Sequence, residues 1–164
     1  MKGMRIGQGF DVHRFRAGRT LKLCGKTIPG ELGLDGHSDA DVGLHAVTDA
    51  ILGALALGDI GDHFPNSDPQ WCGGDSAVFV SRAVEMAAIE GFKLINCDLT
   101  FIGERPRIAP YRESLRTSLA ESLGVPRSAV SVKATTTEGL GFVGRTEGLA
   151  ALAVVLLAKE PEDD

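Results

Sequence analysis

Asp11 and His13 stand two residues apart in the stretch from Arg5 to Arg14, whose loose alternation around Ile6, Phe10 and Val12 reads as a β-strand. Alternate side chains leave a strand on the same face, so this carboxylate and imidazole project side by side while Val12 points the other way. His45 offers a third donor near the start of the first expected helix, after Gly36-His37-Ser38-Asp39-Ala40-Asp41. Two imidazoles and a carboxylate suit zinc or another divalent first-row metal, and three protein donors leave a fourth position open for a substrate oxygen. The same residues also allow a strand-end ion pair beside an unrelated helix histidine, and spacing alone does not separate the two.

Ser38, Asp39 and Asp41 precede that helix and can cap its amides, while His37 and Ser38 beside a helix N-terminus could hold an anion. Asp41 is also a candidate to orient an imidazole from behind. Farther on, Lys133-Ala134-Thr135-Thr136-Thr137-Glu138-Gly139-Leu140-Gly141-Phe142 leaves a β-type run for a glycine-rich turn of hydroxyls and free amides. Such a turn can cradle phosphate oxygens while Glu138 holds a magnesium ion and Arg145 adds positive charge. Plain β-propensity explains the threonines equally well. Gly103-Glu104-Arg105-Pro106-Arg107-Ile108-Ala109-Pro110 is expected to be extended, with amides free to read a pyrimidine edge or simply solvated at the surface. Asp59 through Asn66 reads as a helix-ending turn or as an acceptor for a ribose diol.

The elements that must position these residues alternate irregularly along the chain. Strands are expected over residues 5–14, 21–23, 93–102, 130–135 and 149–157, and helices over 42–57, 76–90 and 111–123, the last ended by Gly124. That order implies an α+β, two-layer sandwich: a mixed β-sheet with helices packed on one face, in one domain spanning 1–164. At 164 residues the chain can bury roughly 70% of its unfolded surface without staples. Its three cysteines, Cys24, Cys72 and Cys97, are scattered and unpaired in pattern, which fits a reducing, cytoplasmic setting. The start has no apolar signal core, and the longest apolar run, Leu149 to Ala158, is about half a bilayer span. A net charge of -5 without a dense basic block argues against a nucleic-acid partner and leaves a nucleotide as a small ligand.

Taken together, Gly9-Phe10-Asp11-Val12-His13, His37-Ser38-Asp39-Ala40-Asp41-Val42, Leu57-Gly58-Asp59-Ile60-Gly61 and Lys133 through Arg145 resemble the 2-C-methyl-D-erythritol 2,4-cyclodiphosphate synthase family of the non-mevalonate isoprenoid pathway. The match runs in order over nearly the whole chain. The resemblance implies a phosphorus-oxygen lyase that converts 4-diphosphocytidyl-2-C-methyl-D-erythritol 2-phosphate to the cyclodiphosphate and CMP. By resemblance, Asp11, His13 and His45 hold the zinc-type ion (Zn or Mn), and Glu138 holds Mg or Mn across the substrate diphosphate. His37, Thr136 and Glu138 are the implied catalytic groups. Contacts to substrate are implied for His37, Ser38, Asp59, Gly61 and Asn66, and for Gly103, Pro106, Arg107, Ile108 and Ala109 around the cytosine. Lys133, Thr135, Thr136, Thr137, Phe142 and Arg145 complete the implied contacts around the diphosphate. A homotrimer with sites between subunits is implied, together with an isoprenoid diphosphate on its axis near Phe10, Arg145 and Glu147. The chain departs from the family pattern at Gln8, Asn66, Gly139 and Val143, none of them an implied metal donor.

Overall fold

The computed structural model describes residues 3–71 and 73–159, so Cys72 and the two ends of the chain lie outside the described residues. Strand β1 (Met4–Ala17) is followed by the short strands β2 (Leu21–Leu23), β3 (Lys26–Ile28) and β4 (Leu32–Leu34). Then come helices α1 (Val42–Leu55), α2 (Ile60–His63) and α3 (Ala77–Ile89), strand β5 (Phe92–Ile102) and helix α4 (Arg112–Leu123). Strand β6 (Val130–Thr135), the one-turn helix α5 (Gly141–Gly144) and strand β7 (Gly148–Lys159) complete the order. The main sheet runs β4-β1-β7-β5-β6, antiparallel except for the β5–β6 pair, and β2 and β3 form a separate hairpin. This is the expected mixed sheet with helices on one face.

β7 lies between β1 and β5, with Leu149, Ala151, Ala153, Val155 and Leu157 buried on the face that carries the helices. On β1, Gly7, Gly9, Asp11 and His13 face the helices, while Ile6, Phe10 and Val12 stand exposed on the opposite, helix-free face with Val154 of β7. Glycine is required at two of those positions. A Cβ on Gly7 would lie 1.8 Å from the Ala50 carbonyl oxygen, and one on Gly9 would lie 1.9 Å from that of Ala46. The backbone of α1 therefore rests directly on the backbone of β1, and this close approach carries His45 to the strand that bears Asp11 and His13.

Helix α1 begins where Asp41, in extended conformation, accepts a bond from the Leu44 N–H (3.1 Å). It ends two residues before the expected Leu57, because Ala56 adopts a left-handed conformation (φ 58°) and the Leu57 N–H bonds back to the Leu52 carbonyl (3.0 Å). Gly124 ends α4 in the expected way, at φ 67°. The turn-rich stretch after α1 contains α2, started by Asp59, whose carboxylate accepts from the N–H groups of Gly61 (2.9 Å) and Asp62 (3.2 Å). The segment from Gly103 to Pro106 is bent rather than extended, and Ile108, in helical conformation, turns its side chain into the core at 3% exposure. Proline restricts only the residue directly before it, here Arg105 and Ala109, so Ile108 is free to turn its apolar side chain inward.

Candidate metal centre and its surroundings

Asp11 and His13 from β1 meet His45 from the first turns of α1 in a tight triangle. Asp11 Oδ2 lies 2.9 Å from His13 Nε2 and 3.1 Å from His45 Nδ1, and the two ring nitrogens are 3.1 Å apart. Among the described residues these three form the group of donors able to hold one ion, all within 4.8 Å of one another. A tetrahedral zinc with bonds of about 2.0–2.1 Å needs donors roughly 3.3 Å apart, so the triangle fits with adjustments of a few tenths of an ångström. His13 Nδ1 donates to the Asp35 carbonyl (2.7 Å), since a carbonyl can only accept, and in the neutral ring this leaves Nε2 with a lone pair directed at Asp11 and His45. A carboxylate and an imidazole lone pair converging without a proton between them are the donor chemistry of a cation site.

In the metal-free protein a proton shared between imidazole and carboxylate takes the cation's place in this triangle. Burial alone would raise the Asp11 carboxyl, yet the hydrogen bonds and positive charge of His13 and His45 outweigh it and lower the pKa to about 2. Burial alone would lower His13, yet its bond to Asp11, that carboxylate's charge and the Asp35 carbonyl raise it above the ordinary imidazole value. The triad borders a cavity of about 350 Å³, lined also by His37, Ser38, Gly61 and Asn66 and walled by Phe64, Trp71 and Phe79. Polar donors and aromatic rings share this lining, Phe79 packing beside His45 with ring centroids 5.8 Å apart, and together they suit a small ligand with an anionic head and an apolar flank.

The structure brings some of the expected residues to this cavity and leaves others elsewhere. His37 is exposed at its mouth, whereas Ser38 is buried with its hydroxyl turned toward His45 Nε2 (3.2 Å). Asp59 caps α2 with its carboxylate, though Gly61 on the same helix reaches the lining. Asp41 does not orient an imidazole: it is fully buried and accepts from Leu44 N–H, Cys24 N–H (3.0 Å) and Gly25 N–H (2.7 Å), tying the β2–β3 turn to α1. Its two carboxylate oxygens are spent on backbone donors that would otherwise be orphaned, and burial raises its pKa to about 6.

Residues 103–109 and 133–145 do not line the cavity of the same chain. Lys133 pairs with Asp98, Arg145 Nε donates to Glu147 (2.7 Å), and the Thr137 hydroxyl donates to the Leu140 carbonyl (2.7 Å). The amides of this loop are less free than its sequence implies, because Glu104 accepts from the N–H groups of Thr137 (3.1 Å) and Gly139 (3.3 Å). Glu138 and Gly139 both have positive φ (54° and 75°), which turns neighbouring N–H groups inward, and Glu104 supplies the anion they need. Thr135, Thr136 and Glu138 remain exposed, with the Thr136 hydroxyl 3.4 Å from the Glu138 carboxylate. Sequence reasoning missed the contributions of Glu104 and of Ser76, whose hydroxyl is 2.8 Å from His45 Nε2. Ser76 reads locally as a helix start, and only its failure to cap that helix sets it apart.

Comparison with known proteins follows the same lines. The YgbB family model matches residues 4–158. The chain is 61% identical over 153 residues to a bifunctional enzyme IspD/IspF of Hyphomonas neptunium, a match covering 93% of this chain and 40% of that protein. It is 56% identical over 154 residues to a 2-C-methyl-D-erythritol 2,4-cyclodiphosphate synthase of Cereibacter sphaeroides, covering 94% and 97% of the two chains. Its fold superimposes on a CDP complex of IspF from Plasmodium falciparum with a TM-score of 0.86 at 32% identity, covering 98% of this chain and 99% of the other.

Proposed function

The chain belongs to the YgbB family, and from that premise we propose that it converts 4-diphosphocytidyl-2-C-methyl-D-erythritol 2-phosphate to 2-C-methyl-D-erythritol 2,4-cyclodiphosphate and CMP, as a lyase. An oxygen of the substrate's own 2-phosphate attacks the β-phosphorus in line, a P–O bond forms there, and the bond between the β-phosphorus and the bridging oxygen breaks, its electron pair leaving on that oxygen, which stays on the α-phosphorus as part of CMP. The nucleophile belongs to the substrate, so the protein's task is to fold the chain of phosphates back on itself and balance its charge. The observation that carries this reading is the Asp11–His13–His45 triangle opening onto a cavity lined by His37 and Ser38. A Zn or Mn ion held by the triad, with Mg or Mn held by Glu138, would supply Lewis-acid polarisation of phosphoryl oxygens and a template for the bent diphosphate.

His37 at the cavity mouth places its imidazole where it can donate to a phosphate oxygen, and Thr136 with Glu138 presents a hydroxyl and a carboxylate on an exposed turn. The aromatic wall of Phe64, Trp71 and Phe79 gives the methylerythritol a surface that excludes water, while Asn66 stands at the lining to contact its hydroxyls. The cytidine segment around Pro106 to Ala109 and the Lys133–Arg145 loop lie away from this cavity, so a complete site needs a neighbouring subunit. We propose a homotrimer packed through the helix-free sheet face, where Ile6 is 73% and Phe10 52% exposed. An isoprenoid diphosphate on the axis near Phe10, Arg145 and Glu147 belongs to the same reading. The chain spans 40% of the length of the first bifunctional relative, and the proposal concerns the cyclisation step alone. No helix among the described residues is long and apolar enough to cross a membrane, and we place the reaction in the cytoplasm.

Incubation of the purified protein with the cytidyl substrate in ¹⁸O-labelled water, followed by phosphorus NMR, tests the proposal. Cyclic diphosphate and CMP free of solvent oxygen are expected. Label in the released phosphates would instead identify a hydrolase using water as nucleophile.

A further inference from the structure

His45 turns one ring nitrogen to the metal triangle and the other to a chain of polar side chains that the cyclisation reading leaves unexplained. Its Nε2 is 2.8 Å from the Ser76 hydroxyl, and that hydroxyl is hydrogen-bonded in turn to Asp39 Oδ1. Asp39 Oδ2 also accepts from the Ser76 N–H (3.3 Å), so the carboxylate grips the serine at two points, and Lys22 Nζ lies 3.7 Å from the same oxygen. Ser76 is fully buried. It occupies the position before α3 where a serine ordinarily caps its own helix, yet its side chain makes no capping bond there. The hydroxyl has been diverted from a local use to a distant one, joining residues 31 and 37 positions away.

The directions of these bonds follow from donor arithmetic. A carboxylate only accepts, so the single proton of the Ser76 hydroxyl goes to Asp39. The serine oxygen then offers His45 lone pairs alone, and His45 Nε2 must carry the proton. In the neutral ring the lone pair is thereby forced onto Nδ1, the atom 3.1 Å from both Asp11 Oδ2 and His13 Nε2. Ser38, 3.2 Å from the same Nε2, can accept there as well but has no carboxylate fixing its own proton. On the reading of the triad as a cation site, we infer that Asp39 and Ser76 are positioning residues that fix His45 in the Nε2–H tautomer and aim its Nδ1 lone pair at the metal. His13 is set by the Asp35 carbonyl in the mirror sense, Nδ1–H with Nε2 free, so the two imidazoles are locked by different second partners.

The test uses the full chain carrying Ser76→Ala, Ser76→Thr or Asp39→Asn, with zinc itself as the probe. Zinc affinity is read by competition with a chromophoric chelator, and the tautomer of His45 by long-range ¹H–¹⁵N NMR of the metal-free protein at a pH where the ring is neutral. Ser76→Ala is expected to weaken zinc by about 10- to 100-fold and to admit the Nδ1–H tautomer, whereas Ser76→Thr, which keeps the hydroxyl, stays within a few-fold of the parent. Asp39→Asn can donate to Ser76 and so allow the hydroxyl to reverse, which predicts the same mixture of tautomers. If Ser76→Ala does not fold, the contrast between Ser76→Thr and Asp39→Asn decides the matter. Unchanged zinc affinity with His45 still wholly Nε2–H in Asp39→Asn or Ser76→Ala would overturn the inference, and so would a loss of affinity in Ser76→Thr equal to that in Ser76→Ala. A parent protein that binds no zinc at the triad would instead overturn the cation-site reading on which the inference rests.

Discussion

Replacing Gly9 by alanine perturbs the metal centre without touching any of its donors. The new Cβ would lie 1.9 Å from the Ala46 carbonyl oxygen and 2.7 Å from the Ala50 amide nitrogen, both backbone atoms of α1. Neither can swing aside as a flexible side chain would. Restoring a contact of about 3.4 Å requires strand and helix to separate by about 1.5 Å at this point, one residue from His45 along the helix and two from Asp11 along the strand. Metal donors tolerate displacements of only about 0.2 Å. Overpacking ordinarily costs about 1–3 kcal/mol, and a backbone-on-backbone collision belongs at or above the top of that range. Urea unfolding should therefore show Gly9→Ala destabilised by at least about 3 kcal/mol, and chelator competition should show zinc affinity reduced by more than about 100-fold. Gly53→Ala is the control on the same helix. Its Cβ would meet only the Gln8 carbonyl oxygen, at an ordinary 3.7 Å, and alanine should gain roughly 0.5–1 kcal/mol from helix propensity with zinc binding intact. A Gly9→Ala protein with parental stability and parental zinc affinity would refute the claim that this close approach sets the triad.

Three further expectations concern the site directly. His13→Ala or Asp11→Ala should fold, because both side chains are partly exposed at a cavity rather than packed in the core, but should lose zinc and cyclase turnover. Circular dichroism with metal analysis checks this, and full turnover in metal-depleted His13→Ala contradicts it. Glu138→Gln should lower the rate more than CMP affinity, and equal losses in a CMP titration and in turnover would count against a role confined to the transition state. In the metal-free protein the Asp11–His13 pair adds a pH-dependent stability of definite sign. Asp11, lowered to about 2, contributes stability present above about pH 4 and lost as pH falls toward 2, about 2 kcal/mol in full. His13, raised above 6.5, contributes stability present below that value and lost as pH rises through its folded pKa. Both descriptions concern one interaction, so thermal melts should place its maximum between about pH 4 and 6.5, and Asp11→Asn should flatten the profile on both sides.

Local residue patterns pick out the candidate cation donors and most of the elements that carry them. Asp11 and His13 share a strand face because side chains alternate with period two, and α1 is legible as an alanine- and leucine-rich run without proline. These are local properties, readable within a few residues. The rest depends on through-space distance. The Asp11–His13–His45 triangle closes because Gly7 and Gly9 let a helix lie on a strand, and nothing local distinguishes those glycines from turn glycines. Asp41 and Asp39 stand two residues apart with similar surroundings in sequence, yet one is consumed by backbone amides of a distant turn and the other grips Ser76. Glu104 takes amides that the loop's own composition leaves unassigned. A hydrogen bond is directional and short-ranged, so which acceptor a donor finds is settled by the packing that brings them within 3 Å or so, and no spacing along the chain encodes that choice.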